Sequence, residues 1–242
     1  MDVREIPRTL HFIWVGDDSL RPDAFIETWR RHHPDFSVKV WGNEELANRN
    51  WVTKRHMEWI MGCGGQYAAV ADLMRWEILL EEGGVALDSD SICLERLPDW
   101  LFCCDLFASW ENEYARPGII ANGYVGCRPD NNVINEIVCR LSAMQSWPRR
   151  FSWSKFRWKK EPAWKVTGPA LLTDVLTSLP EKTATILPSH FFIPTHYSGI
   201  KYNGSGPVYS CEMFSSTPQS LNKLDLTKDP DQLVAWARNH LK

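Results

Sequence analysis

Residues 67–95, YAAVADLMRWEILLEEGGVALDSDSICLE, decide the fold of this chain. Residues 67–82 are rich in Ala, Leu, Met and Glu, which all favour a helix. Residues 83–84 are both glycine and end that helix, because glycine readily adopts the left-handed conformation that helix C-termini need. The short apolar run at 85–87 then predicts a buried strand, which leads directly into Asp-Ser-Asp at 88–90.

The two acidic residues at the end of this strand indicate a cation site. Asp88 and Asp90 are two positions apart, so an extended chain points both side chains the same way. Two converging carboxylates repel each other unless a cation lies between them, and Mg²⁺ or Mn²⁺ prefers such oxygen ligands. The alternative interpretation is a polar turn after a strand, where Asp and Ser are common.

The preceding helix carries a second pair of charged residues. Asp72 and Arg75 are three positions apart and therefore share one face of the helix, which is otherwise small or apolar. An ion pair on an apolar face serves either as a structural bridge or as part of a functional site.

Residues 69–90 follow the pattern A-x-A-D-L-x-R-W-E-I-L-x-x-x-G-G-V-x-L-D-x-D. This pattern resembles the signature of glycosyltransferase family 32, which includes the sugar-binding region of the large clostridial glucosylating toxins and the yeast initiating α-1,6-mannosyltransferase. The resemblance implies one GT-A domain over residues 1–242, an α/β fold with a mostly parallel sheet flanked by helices. It also implies a retaining hexosyltransferase that uses a UDP- or GDP-sugar donor and Mn²⁺ or Mg²⁺ as cofactor.

The resemblance assigns a role to each charged residue of the signature. Asp90 is expected to ligate the metal directly, while Asp88 contacts the ribose and a metal-bound water. Asp72 accepts hydrogen bonds from sugar hydroxyls, and Arg75 donates to the sugar or phosphate. No carboxylate pair is obvious for a double displacement, so we expect front-face displacement in which the leaving phosphate deprotonates the acceptor hydroxyl.

The near-continuous apolar run at 9–15 predicts the first buried strand of a parallel sheet. Ligands of open α/β sheets bind beyond the carboxyl ends of the strands. The stretch IPRTLHFIWVG also resembles the family opening, which implies that Ile13, Trp14 and Val15 border the base and ribose of the donor. A core aromatic is the alternative role for Trp14.

Three residues of the second half are candidates through further family-like segments. Asn122 resembles the Asn of a strand in the family and is a candidate sugar or acceptor contact, or else a turn residue before glycine. His196 and Lys201 resemble an H-x-x-G-x-x-K segment of a related retaining family, with a spacing one residue shorter here. We therefore expect His196 to ligate the metal and Lys201 to contact the diphosphate, although a lone His is usually structural.

Local patterns outside these motifs predict several further elements. Helical periodicity is expected at 21–33 and 44–61, and a strand at 190–193. Thr167 is expected to cap a helix whose first turn holds Pro169.

Residues 148–165, here called the basic arm, contain seven basic residues, one acidic residue and five aromatic residues. This composition suits an anionic membrane surface, or a mobile arm over an anionic donor. The alternative is a solvated surface segment, as most charge runs are.

The composition sets limits on the function. The chain has 242 residues, 44% hydrophobic and 24% charged, and a net charge of −3, which does not favour nucleic acid as a partner. Its thirteen Trp suit ring stacking on sugars.

Acidic N-terminal residues without a long apolar run predict no signal peptide, and seven Cys without a C-x-x-C pair predict reduced thiols. We expect a cytoplasmic protein that contacts the inner face of a membrane through its basic arm.

Other functions remain open from the sequence. The expected acceptor is a glycan or lipid-linked saccharide in surface polysaccharide biosynthesis, which the short chain favours. A nucleotide-sugar hydrolase or a toxin-like domain that glucosylates proteins is the alternative among enzymes. A non-catalytic carbohydrate-binding module would bind sugar without metal or nucleotide.

Overall fold

A computed structural model describes the protein at residues 5–62, 66–152, 156–179, 184–215 and 229–241. The helices of these residues are α1 Asp23–His32, α2 Asn43–Asn48, α3 Lys54–Gly62, α4 Tyr67–Glu82, α5 Asn132–Ala143, α6 Ala163–Val166, α7 Pro169–Ser178 and α8 Pro230–His240. The strands are β1 Thr9–Ile13, β2 Ser37–Trp41, β3 Gly84–Leu87, β4 Ser91–Cys93, β5 Leu106–Asn112, β6 Arg116–Cys127, β7 Arg149–Ser152, β8 Arg157–Lys160, β9 Thr185–Leu187 and β10 Ser210–Glu212.

A six-stranded mixed sheet forms the centre of the fold. Its strand order is β2-β1-β3-β6-β5-β9, and β6 alone runs against the other five. Side chains alternate between two buried clusters: Val85 and Leu87 belong to one cluster, and Ala86 belongs to the other. Both faces of the sheet are therefore covered, which explains the near-continuous apolar character of β1 and β3.

Helix α4 has the bounds that the sequence predicts, and it is buried on most of its circumference. Gly83 ends the helix with φ of +64°, and its N–H donates to the Leu79 carbonyl at 3.0 Å. At Gly84 a Cβ atom would lie 2.7 Å from the carbonyl oxygen of Thr9 in β1. The Gly-Gly pair thus both ends α4 and lets β3 begin directly beside β1.

Two local predictions of secondary structure are wrong. The strand expected at 190–193 is replaced by a short 3₁₀ helix, Ser189–Phe191. The single helix expected at 44–61 is split into α2 and α3, because Glu77 of α4 accepts hydrogen bonds from the backbone N–H groups of Val52 and Thr53 and fixes a new helix start there. The sequence Gly-Cys-Gly-Gly at 62–65 predicts a hinge, of which residues 63–65 lie outside the described residues.

The basic arm is a two-stranded hairpin of β7 and β8 followed by α6. Its residues 153–155 lie outside the part of the chain that the structure describes. Within the described ranges, no helix combines the length and apolar character needed to cross a bilayer.

Candidate active site

The Asp-Ser-Asp sequence forms a tight turn at the end of β3. The Asp88 N–H donates to the Gly123 carbonyl at 3.0 Å, which extends the pairing of β3 with β6 by one residue. The Asp88 carbonyl then accepts from the Ser91 N–H at 3.2 Å and from the Ser91 hydroxyl at 2.7 Å. The two carboxylates are therefore brought together by a turn, and not by an extended strand as the spacing suggested.

Arg75 of α4 is buried and joins this turn to β6. One terminal nitrogen donates to the Asp88 carboxylate, and the other donates to the Asn122 carbonyl at 2.7 Å. The guanidinium therefore forms its ion pair with Asp88 and not with Asp72. Its Nε is buried without a hydrogen-bond partner among the described residues. A buried donor left unused is unusual and points towards a ligand atom at this site.

Asp72 lies on the same side of α4 as Arg75 and is held by two side chains. Its carboxylate accepts from the Asn122 amide at 2.6 Å and from the Thr167 hydroxyl at 2.9 Å. Burial raises the pKa of Asp72 to about 6, although the Arg75 charge and both hydrogen bonds oppose this shift. Asp72, Arg75 and Asn122 thus form one connected cluster.

Thr167 does not cap α7 as the sequence predicted. Gly168 occupies the N-cap position, and no side chain caps that helix. The Thr167 hydroxyl instead binds Asp72, and its carbonyl accepts from the indole of Trp76 at 2.7 Å. Both contacts join residues far apart in the chain, so no local sequence signal could reveal them.

A second buried carboxylate, which the sequence analysis missed, lies beside the turn. Glu212 at the end of β10 accepts from the Tyr124 hydroxyl at 2.7 Å and from the Phe214 N–H at 3.2 Å. Burial, then the negative charges of Asp90 and Asp88, raise the pKa of Glu212 well above its usual value.

The same chain segment contacts Asp90 directly. The Ser215 N–H donates to the Asp90 carboxylate at 2.6 Å. The pKa of Asp90 is raised, mainly by burial and then by the charge of Asp88. Three carboxylates therefore repel one another at this corner, an arrangement that a divalent cation would relieve.

The donor atoms of this corner suit a hard cation. They are carboxylate oxygens, which Mg²⁺ and Mn²⁺ prefer. The described residues contain no group of three or more His, Cys, Asp or Glu side chains arranged to hold a metal. Asp88 and Asp90 alone match a Mg²⁺-like site, which commonly takes one or two carboxylates and completes its shell with substrate phosphates.

His196 is buried, and both of its ring nitrogens have partners. Nε2 lies 3.3 Å from the Glu111 carboxylate, which also accepts from Arg116 at 2.8 Å. Nδ1 accepts from the Ser198 N–H at 3.3 Å. The ring lies 5.6 Å from that of Phe214, near the segment that contacts Asp90. Metal ligation by His196 stays a prediction.

Lys201 lies on the surface, and its ammonium donates to the His240 carbonyl at 3.0 Å. This contact joins the 195–201 segment to the end of α8. A role for Lys201 at a diphosphate also stays a prediction.

The end of β1 lies directly behind the Asp-Ser-Asp turn. The Ser89 hydroxyl donates to the Ile13 carbonyl at 3.0 Å. The Trp14 N–H donates to the Trp41 carbonyl at 2.9 Å, so the backbone continues along β2. Val15 is buried. The three residues expected at the nucleotide therefore stand at the sheet edge that carries the acidic turn.

Two further residues, also missed from the sequence, shape the loop after β1. Gly16 has φ of +125°, and the Asn43 side chain binds both its N–H at 3.1 Å and its carbonyl at 2.8 Å. A Cβ atom on Gly16 would lie 3.7 Å from the ring of Tyr67, which is half exposed at the start of α4. Asn43 and Tyr67 therefore fix the loop that follows β1.

Comparison with known proteins gives consistent likenesses. The family model described as "Glycosyltransferase sugar-binding region containing DXD motif" matches residues 21–105. The chain is 24% identical over 215 residues to "Uncharacterized glycosyltransferase L373" of Acanthamoeba polyphaga mimivirus, covering 85% of this chain and 78% of that protein.

Two solved structures share the architecture. Galactosyltransferase LgtC in complex with donor and acceptor sugar analogs has a TM-score of 0.51 and 14% identity, covering 96% of this chain and 95% of that chain. The UDP-bound glycosyltransferase domain from the YGT toxin has a TM-score of 0.52 and 10% identity, covering 76% of this chain and 80% of that chain. At these identities the likeness shows a common fold.

Proposed function

We propose that the chain is a retaining, metal-dependent glycosyltransferase, because residues 21–105 match the DXD sugar-binding region and the chain has the GT-A fold. Its family resemblance and its α/β fold are those predicted from the sequence. The proposed reaction moves a hexose from a UDP- or GDP-sugar to a hydroxyl of a glycan or glycolipid, in surface polysaccharide biosynthesis. We treat residues 1–242 as one catalytic domain.

One observation carries this proposal. Asp72, Arg75 and Asp88 all contact adjacent residues of β6: Asp72 and Arg75 bind Asn122, and the Asp88 N–H binds the Gly123 carbonyl. Helix, turn and central strand thus present two carboxylates and one guanidinium together, as recognition of a sugar joined to a diphosphate requires.

Asp88 and Asp90 would hold Mn²⁺ or Mg²⁺. The cation, when bound, supplies Lewis-acid stabilisation of the negative charge that grows on the leaving diphosphate. Arg75 donates from its free Nε to the donor, and its two other contacts keep the guanidinium fixed. At neutral pH Asp72 is mostly ionised, because its pKa is about 6, and it accepts hydrogen bonds from sugar hydroxyls.

In this proposal the sugar keeps its anomeric configuration because the acceptor attacks by front-face displacement. The described site offers Asp72 on the sugar side, and this carboxylate is already bound by Asn122 and Thr167. It is therefore a positioning group and not a nucleophile. The acceptor hydroxyl attacks the anomeric carbon as the bond to the leaving phosphate breaks, and that phosphate takes the hydroxyl proton.

The test is a donor screen with purified protein. UDP-glucose, UDP-galactose, UDP-N-acetylglucosamine and GDP-mannose are incubated with and without Mn²⁺, and released nucleotide and product anomer are measured. We expect one donor to turn over with retention, and Asp90→Ala or a chelator to abolish the reaction. Full activity of Asp90→Ala, or inversion at the anomeric carbon, would refute the proposal.

A protein-glucosylating activity is the second candidate, favoured by the likeness to the YGT toxin domain. Transfer of labelled sugar to proteins but not to glycans or glycolipids would select it. A carbohydrate-binding module would instead bind sugar equally well without nucleotide or metal.

A further inference from the structure

The hairpin of the basic arm has two chemically different faces. Phe151 pairs with Trp158 across the two strands, so both lie on one face. Phe156 precedes β8 and joins this face, since its ring lies 5.5 Å from that of Phe151. The opposite face carries Arg150, Arg157 and Lys159, while Arg149 and Lys160 share the aromatic face near the base of the hairpin. The aromatic face is therefore cationic at its base, and the opposite face is cationic along both strands.

The aromatic side chains of the hairpin are more exposed than the one on which the hairpin packs. At the base of the hairpin, the Lys160 ammonium lies 4.4 Å from the ring centre of Trp59 in α3, and Trp59 stacks on Trp147. Trp59 is 39% exposed, Trp158 is 65% exposed and Phe156 is 79% exposed. The hairpin thus packs on α3 at its base and exposes Phe156 and Trp158 to solvent, and such an apolar patch usually marks an interaction surface.

The positive charge of the arm is local. The chain has a net charge of −3, whereas residues 148–165 contain seven basic residues and one acid, Glu161. Glu161 lies within 3.7 Å of Arg150 and 3.5 Å of Lys165, and its side chain is only 17% exposed. It therefore screens little of the charge at the outer part of the hairpin.

We propose that this hairpin docks the protein on an anionic lipid bilayer. Aromatic rings favour the interface between headgroups and acyl chains, and cations beside them bind lipid phosphates. An amphipathic element with both features binds in the plane of that interface. The net charge of −3 over the whole chain does not favour a nucleic acid as the alternative partner of this hairpin.

The position of the hairpin relates docking to the candidate active site. The arm continues into α6, and the next residue, Thr167, donates to Asp72. The short helix α6 therefore joins the hairpin to the residue that holds Asp72. Docking itself does not depend on the proposed transfer reaction, so each can fail without the other.

Vesicle flotation of the full chain tests this assignment. The protein is mixed with phosphatidylcholine vesicles with or without phosphatidylglycerol, and the bound fraction is measured over a salt series. We expect binding only to anionic vesicles. The triple variant Arg149→Ser, Arg150→Ser, Arg157→Ser should bind about a hundredfold more weakly, at about fivefold per cation removed. The double variant Phe156→Ser, Trp158→Ser should lose most binding even at low salt.

Matched controls remove similar side chains elsewhere. Arg21→Ser, Arg30→Ser, Arg31→Ser takes two arginines from α1 and one from just before it, and Trp100→Ser takes an indole that is 51% exposed in the 3₁₀ helix Asp99–Cys103. Both should bind like the wild type, and unchanged circular dichroism should show that every variant is folded. Equal binding to neutral vesicles, equal loss in the controls, or retention on an acidic polysaccharide without vesicle binding would overturn the proposal.

Discussion

Asp72→Asn should stabilise the protein while abolishing sugar transfer. Burial raises the pKa of Asp72 from 3.8 to about 6, so the folded protein disfavours the ionised carboxylate. Asn keeps both contacts, because its oxygen can accept from Asn122 and its amide can donate to the Thr167 oxygen. The full pKa shift corresponds to about 3 kcal/mol. Since Asp72 retains some solvent exposure, we expect a gain of about 2 kcal/mol.

The sign of the pH dependence follows from proton linkage. Between about pH 4 and pH 6 the folded state binds more protons at Asp72 than the unfolded state, so the wild type loses stability as pH rises through this window. The Asp72→Asn variant does not lose this stability, because Asn does not ionise. The stabilisation by the substitution should therefore be near zero at about pH 4, grow to about pH 6 and stay constant above that.

Urea unfolding, followed by circular dichroism over this pH range, measures the difference between variant and wild type. Asp174→Asn is the matched control, because Asp174 is an exposed carboxylate paired with Arg140 on the surface. Its effect should stay below about 1 kcal/mol. The reasoning would be refuted if Asp72→Asn were less stable than the wild type at neutral pH, or if the difference did not change with pH.

Three further substitutions test other contacts. Thr167→Val removes the hydroxyl that donates to Asp72. Initial rates should show a KM for the sugar donor that is about fivefold higher, with a smaller change in kcat. An unchanged KM contradicts this. Gly123→Ala places a Cβ 2.8 Å from the Asp88 Cγ and so displaces that carboxylate. Calorimetry should show weaker Mn²⁺-dependent nucleotide binding, while circular dichroism stays unchanged. Unchanged binding contradicts this. Glu77→Gln leaves one of the two backbone N–H groups just before α3, those of Val52 and Thr53, without a carboxylate oxygen to accept from it. It should cost about 2 kcal/mol in urea unfolding, and a neutral effect contradicts this.

The part of the site that local sequence encodes was predictable. Helix α4, the Gly-Gly pair and β3 follow from propensity and from the left-handed backbone at Gly83. Asp72 and Arg75 share a helix face, and both contact Asn122, a candidate from the sequence. Their clustering follows from helical spacing and from the position of β6 beside β3.

The part that depends on distant contacts was not predictable. Glu212 and Ser215 reach the acidic turn because β10 pairs with β4, and nothing in their own segment signals this. Thr167 reads as an ordinary helix cap, whose oxygen would accept from a backbone N–H of α7, but its hydroxyl instead donates to the Asp72 carboxylate. Glu77 of α4 similarly interrupts the helical pattern of residues 44–61 by accepting from the Thr53 N–H. Tertiary partners of polar side chains decide each case.

Calorimetric titration of UDP and of GDP tests most directly whether the acidic turn binds a nucleotide diphosphate through a cation. The wild type is measured with Mn²⁺ and with a chelator, and Asp90→Ala is measured in the same two buffers. We predict that one nucleotide binds the wild type about a hundredfold more tightly with Mn²⁺, or ~2.7 kcal/mol, and that Asp90→Ala shows no such gain. Equal affinity in all four titrations would contradict the account.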